Sequence, residues 1–227
     1  MAKITAITFD FLNDLRENNN KEWFQENKNR YEASHLEMIA FAEEVIRLVN
    51  DFDVIETASG KKSLYRIYRD VRFSKDKTPY KTHWSGQLKR AGQSRRGGMY
   101  FGIEPNNSMI GGGFWGPNKD DLLLIRKQIE MDADLLRDVL ENESFKDFFG
   151  GMSGDQVKTA PKGFEKTHPN IDLLRYKQYL IGKHYNDNEV LRKDFAEQIA
   201  EGFRKMMPFF QCFTEYLTTD LNGESLI

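Results

Sequence analysis

The stretch YRIYRDVRFSKDKTPYKTH, residues 65–83, sets three arginines, three lysines and a histidine against two aspartates. Arg66, Asp70 and Arg72 recur at even spacing, and the residues that follow add Lys75, Lys77, Tyr80, Lys81 and His83. Arginine offers a planar fork matched to phosphate or carboxylate, and lysine a mobile point charge. Asp70, between two arginines, is placed to hold one or both in a fixed orientation. The chemistry this set suits is recognition of an anion, with phosphate the first candidate. The competing reading is a solvated strand face beside a basic loop. Pro79, which fixes the backbone direction, and Tyr80, bulky with a polar tip, favour a built site.

Other residues could carry chemistry at lower specificity. His83 and His168 both stand in lysine-containing, proline-adjacent segments, TPYKTH and FEKTHP. Two loop histidines brought together would act as acid and base in phosphoryl or phosphodiester chemistry. Ordinary exposed histidines are the alternative. No HxxxH or HExxH pattern occurs, so no helical metal site is expected. Cys212, the single cysteine, lies in the apolar PFFQCF and suits a buried, inert thiol. The glycine run GGGFWGP at 111–117 lacks the lysine and hydroxyl that a P-loop needs after its glycines. Its glycines instead suit close backbone approach, with Trp115 over a cleft edge. No nucleophile elbow, kinase set, dinucleotide fingerprint or zinc-finger spacing is present, and no cofactor is expected.

These residues need elements to position them. Residues 64–73 alternate as a strand should, with Tyr65, Ile67, Val71 and Phe73 on one face and Arg66, Tyr68, Asp70 and Arg72 on the other. Arg69 then falls on the apolar face and needs an anion there, either a protein carboxylate or a ligand. Upstream, residues 8–17 predict a short amphipathic helix that ENNN interrupts, since asparagine favours caps and turns. Asn19 followed by Glu22 has capping-box spacing, which predicts a long helix running to about residue 50. Its buried stripe is Trp23 or Phe24, Asn27, Tyr31, Met38, Ala42, Val45 and Val49. Asn27 is the polar exception, either a satisfied interior amide or a group facing a pocket.

Downstream, residues 84–90 read as a strand, and MYFGIEP and SMIGGGFW flank a turn as a hairpin. Helices are predicted over 119–131, capped by Asn118, and over 133–141 and 143–149. A long loop at 150–170, a helical turn near 171–176 and a strand at 177–185 follow. An amphipathic helix over 188–206 closes the chain, with Pro208 breaking or restarting it. Short connections between strands favour an antiparallel sheet. The expectation is one α+β domain over residues 1–227, its mainly antiparallel sheet packed against a long N-terminal helix and C-terminal helices.

Composition bounds the partners. The chain has 227 residues and a net charge of −2, but residues 61–96 hold twelve Lys or Arg and two Asp, a local net of +10, leaving −12 elsewhere. A basic segment in an acidic body concentrates positive potential locally. No apolar run approaches the ~20 residues of a membrane span, and the N-terminus has no continuous apolar stretch of a secretory signal. A cytoplasmic protein with no membrane partner is expected; composition is silent on oligomeric state.

FLNDLRENNNKEWFQENKNRYE, the 65–83 stretch, GGGFW and PKGFEKTHP occur here in that order. Over nearly the whole chain this resembles a conserved hypothetical family of bacterial and fungal proteins, a domain of unknown function numbered twenty-four sixty-one. The resemblance implies a single domain and brings no activity, cofactor or catalytic residue with it. The leading expectation is therefore a protein binding a small anionic ligand through Arg66, Arg72, Lys75, Lys77 and Lys81. Arg69 is a further candidate ligand, and Tyr80 or Trp115 would form a wall. His83 and His168 are the candidates for any proton transfer. Two other classes compete: a nucleic-acid-binding module stacking bases on Tyr80 and Trp115, and a non-enzymatic interaction protein. Full internal pairing of Arg66, Arg69 and Arg72 would favour the last.

Overall fold

The computed structural model describes residues 2–227 and is an α+β fold. In chain order its elements are α1 (Ala6–Glu17), α2 (Lys21–Glu26), α3 (Lys28–Val49), α4 (Gly60–Ser63), β1 (Trp84–Lys89), β2 (Gly98–Ile103), β3 (Ser108–Phe114), α5 (Lys119–Met131), α6 (Asp134–Glu141), α7 (Glu143–Phe149), α8 (Ile171–Leu174), β4 (Tyr179–Tyr185), α9 (Asp187–Val190), α10 (Phe195–Lys205) and α11 (Met207–Thr218). The strands form one antiparallel sheet in the order β1-β2-β3-β4. The chain divides into two compact units, one of residues 1–89, 100–110 and 184–204, the other of 90–99, 111–183 and 205–227.

In the first unit the asparagines of ENNN each do a different job. Asn18 ends α1, its backbone N–H and its side-chain amide both donating to Asp14 O. Asn20, rather than Asn19, caps α2 by accepting from Trp23 N. The predicted long helix is broken at Asn27, which closes α2 and opens α3. Its amide donates to Trp23 O and accepts from Arg30, so it is a satisfied amide at a helix junction. Beyond the break the helical period holds. Met38, Phe41, Ala42, Val45 and Val49 are fully buried, and Phe41 stacks on Phe195 of α10. A buried polar relay joins β1 to these helices: Trp84 Nε1 donates to Ser34 Oγ at 2.8 Å and Ser34 Oγ to Thr8 Oγ1 at 3.1 Å, with Thr8 donating in turn to Glu37.

Two further predicted elements are corrected. Residues 64–73 are not a strand; only isolated bridges, Leu64 with Gly86 and Tyr68 with Tyr80, mark the segment. The chain folds back on itself, Ser74 N donating to Val71 O, so no neighbouring strand pairs along it. The closing helix over 188–206 is two helices. A capping box of Asn186 and Glu189 starts α9, and the chain restarts at Phe195 after Arg192 pairs with Asp194. Leu191, between them, is exposed.

The second unit shows why GGGFWGP carries its glycines. A side chain on Gly113, at φ +126°, would fall 2.1 Å from Tyr179 O, and one on Gly112 would strike Met206 and Phe210. Strand β4 and helix α11 therefore approach the β3 backbone closely. Pro208 restarts the chain in the first turn of α11, whose Phe209, Phe210 and Phe213 are wholly buried. Asn118 caps α5 as predicted, accepting from Asp120 N and Asp121 N. From α5, Arg126 donates to Leu174 O at 3.0 Å and Tyr176 O at 2.8 Å, tying down the end of the long loop. Burial pushes the Cys212 thiol up to about 12, so it is inert at neutral pH.

Candidate functional site

The site is assembled in the first unit, around residues 64–88. Its anchor is Tyr80, only 4% exposed, with its ring stacked on Phe24 at 4.0 Å. Asn19 grips the Tyr80 backbone as a neighbouring strand would, its amide donating to Tyr80 O at 2.9 Å and accepting from Tyr80 N at 3.1 Å. Arg69 N donates to Pro79 O and Lys81 N to Ile67 O, flanking the Tyr68–Tyr80 bridge. Residues 69–79 are thus a loop closed at its base by a short antiparallel pairing. Tyr80 belongs to the core, and its ring is covered.

Arg69 braces the loop from inside. Its guanidinium donates to Asp76 Oδ2 at 2.5 Å, to Thr78 O at 3.2 Å and to the Thr78 hydroxyl. The counterion is a carboxylate of the same loop. Thr78 N and Arg69 together hold the Asp76 carboxyl at about 2, well below the usual range. A depressed carboxylate contributes its stabilisation above the unfolded value near 4 and loses it as pH falls through the folded one. Acidification from about pH 4 to pH 2 is therefore expected to unbrace this loop. Faster amide exchange at Thr78 and Arg69 across that window, absent in Asp76→Asn, is the check.

At the far end, Arg72 pairs with Asp70 in a two-pronged contact, Nε to Oδ1 at 2.9 Å and Nη2 to Oδ2 at 2.7 Å. Lys77 Nζ donates to Val71 O at 2.9 Å. Lys75 is exposed, and Phe73 is 96% exposed. Of the three arginines, two are paired within the loop. Arg66, exposed, makes no hydrogen bond or ion pair among the described residues.

Arg66 has a cationic neighbour. The Lys81 ammonium lies 5.5 Å above the Tyr65 ring, and Tyr65 OH donates to Gln87 of β1 at 2.6 Å. Burial and then the charge of Arg66 lower the Lys81 pKa. His83 follows, half-buried at the start of β1. Burial lowers its pKa, the Glu104 carboxylate opposes that and Lys81 reinforces it. Glu104 is held by Arg16 at 3.3 Å and by Asn107 at 3.0 Å. Tyr100 on β2 shares a hydrogen bond with Ser85 of β1, and burial raises its pKa. Inward from this polar face lie Trp84, Leu88 and Phe101, and Phe101 fills the space a side chain on Gly86 would need. Two cations, a neutral-leaning imidazole and the hydroxyls of Tyr65, Ser85 and Tyr100 share one neighbourhood with the Arg16-paired Glu104 carboxylate, which suits an anion with a proton to exchange.

The remaining sequence candidates lie in the second unit. His168 accepts from Asn170 N through Nδ1 at 3.1 Å, the contact of a turn. Trp115 is 79% exposed. Arg16, Tyr65, Ser85, Tyr100 and Glu104 were not among the sequence candidates. The alternation of Ser85 and Gln87 with Trp84, Gly86 and Leu88 was the available signal for the β1 face. Nothing local in the sequence joins Arg16 to Glu104.

No group of three or more potential metal ligands occurs among the described residues, and no helix there is long and apolar enough to cross a membrane. Residues 7–212 match a family described as conserved hypothetical protein, DUF2461. No curated protein and no solved structure matches the chain.

Proposed function

The chain belongs to the DUF2461 family, whose description names no reaction, and from the site itself we propose that it binds a small ligand bearing a phosphate or similar anion. Arg66 and Lys81 hold the anionic group, and His83 is the proton-exchanging residue beside it. The observation that carries this reading is Arg66. The other two arginines of the segment are in ion pairs with internal carboxylates, whereas Arg66 makes none among the described residues, feeling Asp70 only at a distance, and stands next to a second cation. Two neighbouring cations outside any ion pair gain from an anion between them. Lys75, further out on the loop, adds positive potential rather than a direct contact, and Arg72 is matched by Asp70.

Thermal shift and calorimetric titration with sulfate, inorganic phosphate, nucleotides and sugar phosphates test it. A charge-assisted contact contributes about 1.5–3 kcal/mol, so Arg66→Ala and Lys81→Ala should each weaken binding about 10- to 100-fold. Arg66 is exposed, so its loss leaves the fold intact. Sulfate, with fixed charge near neutrality, isolates the histidine. Its affinity should rise as pH falls below about 6.5, because a bound anion favours the imidazolium that burial disfavours. His83→Gln should flatten that rise. Absence of binding across all four ligand classes, or unchanged affinity in Arg66→Ala, would sink the reading.

A further inference from the structure

The loop of residues 69–79 presents a feature that anion binding at Arg66 and Lys81 does not use. Phe73, at its tip, is 96% exposed. Its presentation is built. The base is closed by the Tyr68–Tyr80 bridge, Arg69 braces the interior through Asp76 and Thr78, and Lys77 and Ser74 N both reach Val71 O. Beside the ring lies the Arg72 guanidinium, 5.9 Å from its centroid and oriented by Asp70. Lys75 and Lys77 follow within four residues. An apolar ring on a braced tip, collared by cations, fits a partner with both flat apolar faces and negative charges.

We propose that residues 70–77 dock single-stranded nucleic acid, with a base stacking on Phe73 and the adjoining phosphates meeting Arg72, Lys75 and Lys77. A base needs only one exposed ring, which every nucleotide can use regardless of sequence. Duplex bases are already stacked and offer no free face. A lipid surface fits less well. One phenyl ring buries little apolar area on entering a bilayer, whereas a single base face covers it. Of the two stacking rings expected from sequence, Tyr80 is covered by Phe24, and Trp115 is exposed but belongs to the second unit rather than to this loop. The proposal is independent of the small-anion site.

Fluorescence anisotropy of a labelled oligothymidylate of about ten nucleotides, read on the full chain, is the test. Phe73→Ala should weaken binding about 5- to 100-fold, while Phe73→Tyr stays within about twofold. With two or three phosphate contacts, log affinity should fall against log salt with a slope of roughly −1.4 to −2.1. Arg66→Ala should retain oligonucleotide binding even where it abolishes sulfate binding, so the two sites fail separately. Wild-type protein that ignores the oligonucleotide overturns the proposal, as does Phe73→Ala that binds it normally. Phe73-dependent binding to phosphatidylserine vesicles without oligonucleotide binding overturns it in favour of a membrane.

Discussion

Asn19→Ala is expected to lower stability by about 2–4 kcal/mol, far more than a surface asparagine should. Asn19 satisfies both backbone groups of Tyr80, at 2.9 and 3.1 Å, where the chain would otherwise need a neighbouring strand. Alanine leaves that donor and acceptor unpaired beside the buried Tyr80 ring, and each orphan costs about 1–3 kcal/mol. Urea unfolding followed by tryptophan emission measures the loss. Asn18→Ala makes an internal comparison, since its amide only supplements a backbone bond to the same Asp14 carbonyl. Equal losses in the two variants would mean that Asn19 is an ordinary turn residue. Asn19→Asp should fall between, because it keeps the acceptor and removes the donor.

A second large effect is expected from Gly60→Ala. Gly60 opens α4 directly against α3, and an added Cβ would lie 2.4 Å from Ile39 O and 2.6 Å from Glu43 N. Both are backbone atoms of a helix and cannot swing aside. The helix pair must part, and the bond from Gly60 N to Glu43 Oε2 is lost with the contact. Overpacking of this kind costs about 3 kcal/mol or more. Tyr65 and Arg66 come within three residues of the end of α4, so sulfate affinity should decline together with the melting temperature. Gly92→Ala calibrates the result. Nothing lies within 4 Å of its added carbon, and only the left-handed backbone at φ +75° is strained, for about 1–2 kcal/mol. Matching melting temperatures for the two variants would remove the steric argument.

The parts of this fold written in local periodicity were legible. The first helix, the hairpin across residues 106–107 and the Asn118-capped α5 stand where apolar spacing and turn residues place them. Errors came where one local pattern served a different end. Residues 64–73 alternate polar and apolar types, yet only Ile67 among the expected inward residues is fully buried and Phe73 is almost fully exposed. The alternation is that of a loop clamped at its base, whose inward arginine supplies the framework. Asn19 and Asn20 have nearly interchangeable capping signals. Only the contact 61 positions away, at Tyr80, distinguishes them. The arginines illustrate the same limit. Composition located the basic segment, but which guanidinium lacks an ion pair depends on Asp70 and Asp76 turning back within the loop. The face joining Lys81 and His83 to Tyr100 and Glu104 exists only once β1 and β2 are neighbours.

The pairing of Arg69 with Asp76 and of Arg72 with Asp70 has a kinetic consequence. A cation closely matched with its own anion is, a few ångströms away, a dipole, and its field fades faster than that of a bare charge. Both aspartates are already subtracted in the local net of +10, so the surplus that reaches into solution is carried by the cations outside these two pairs. Guidance of a distant polyanion falls to cations such as Arg66, Lys75, Lys77 and Lys81, which stand outside any ion pair among the described residues and accelerate encounter. The paired arginines act after collision, through how long a partner stays, while the association rate should fall as ionic strength rises.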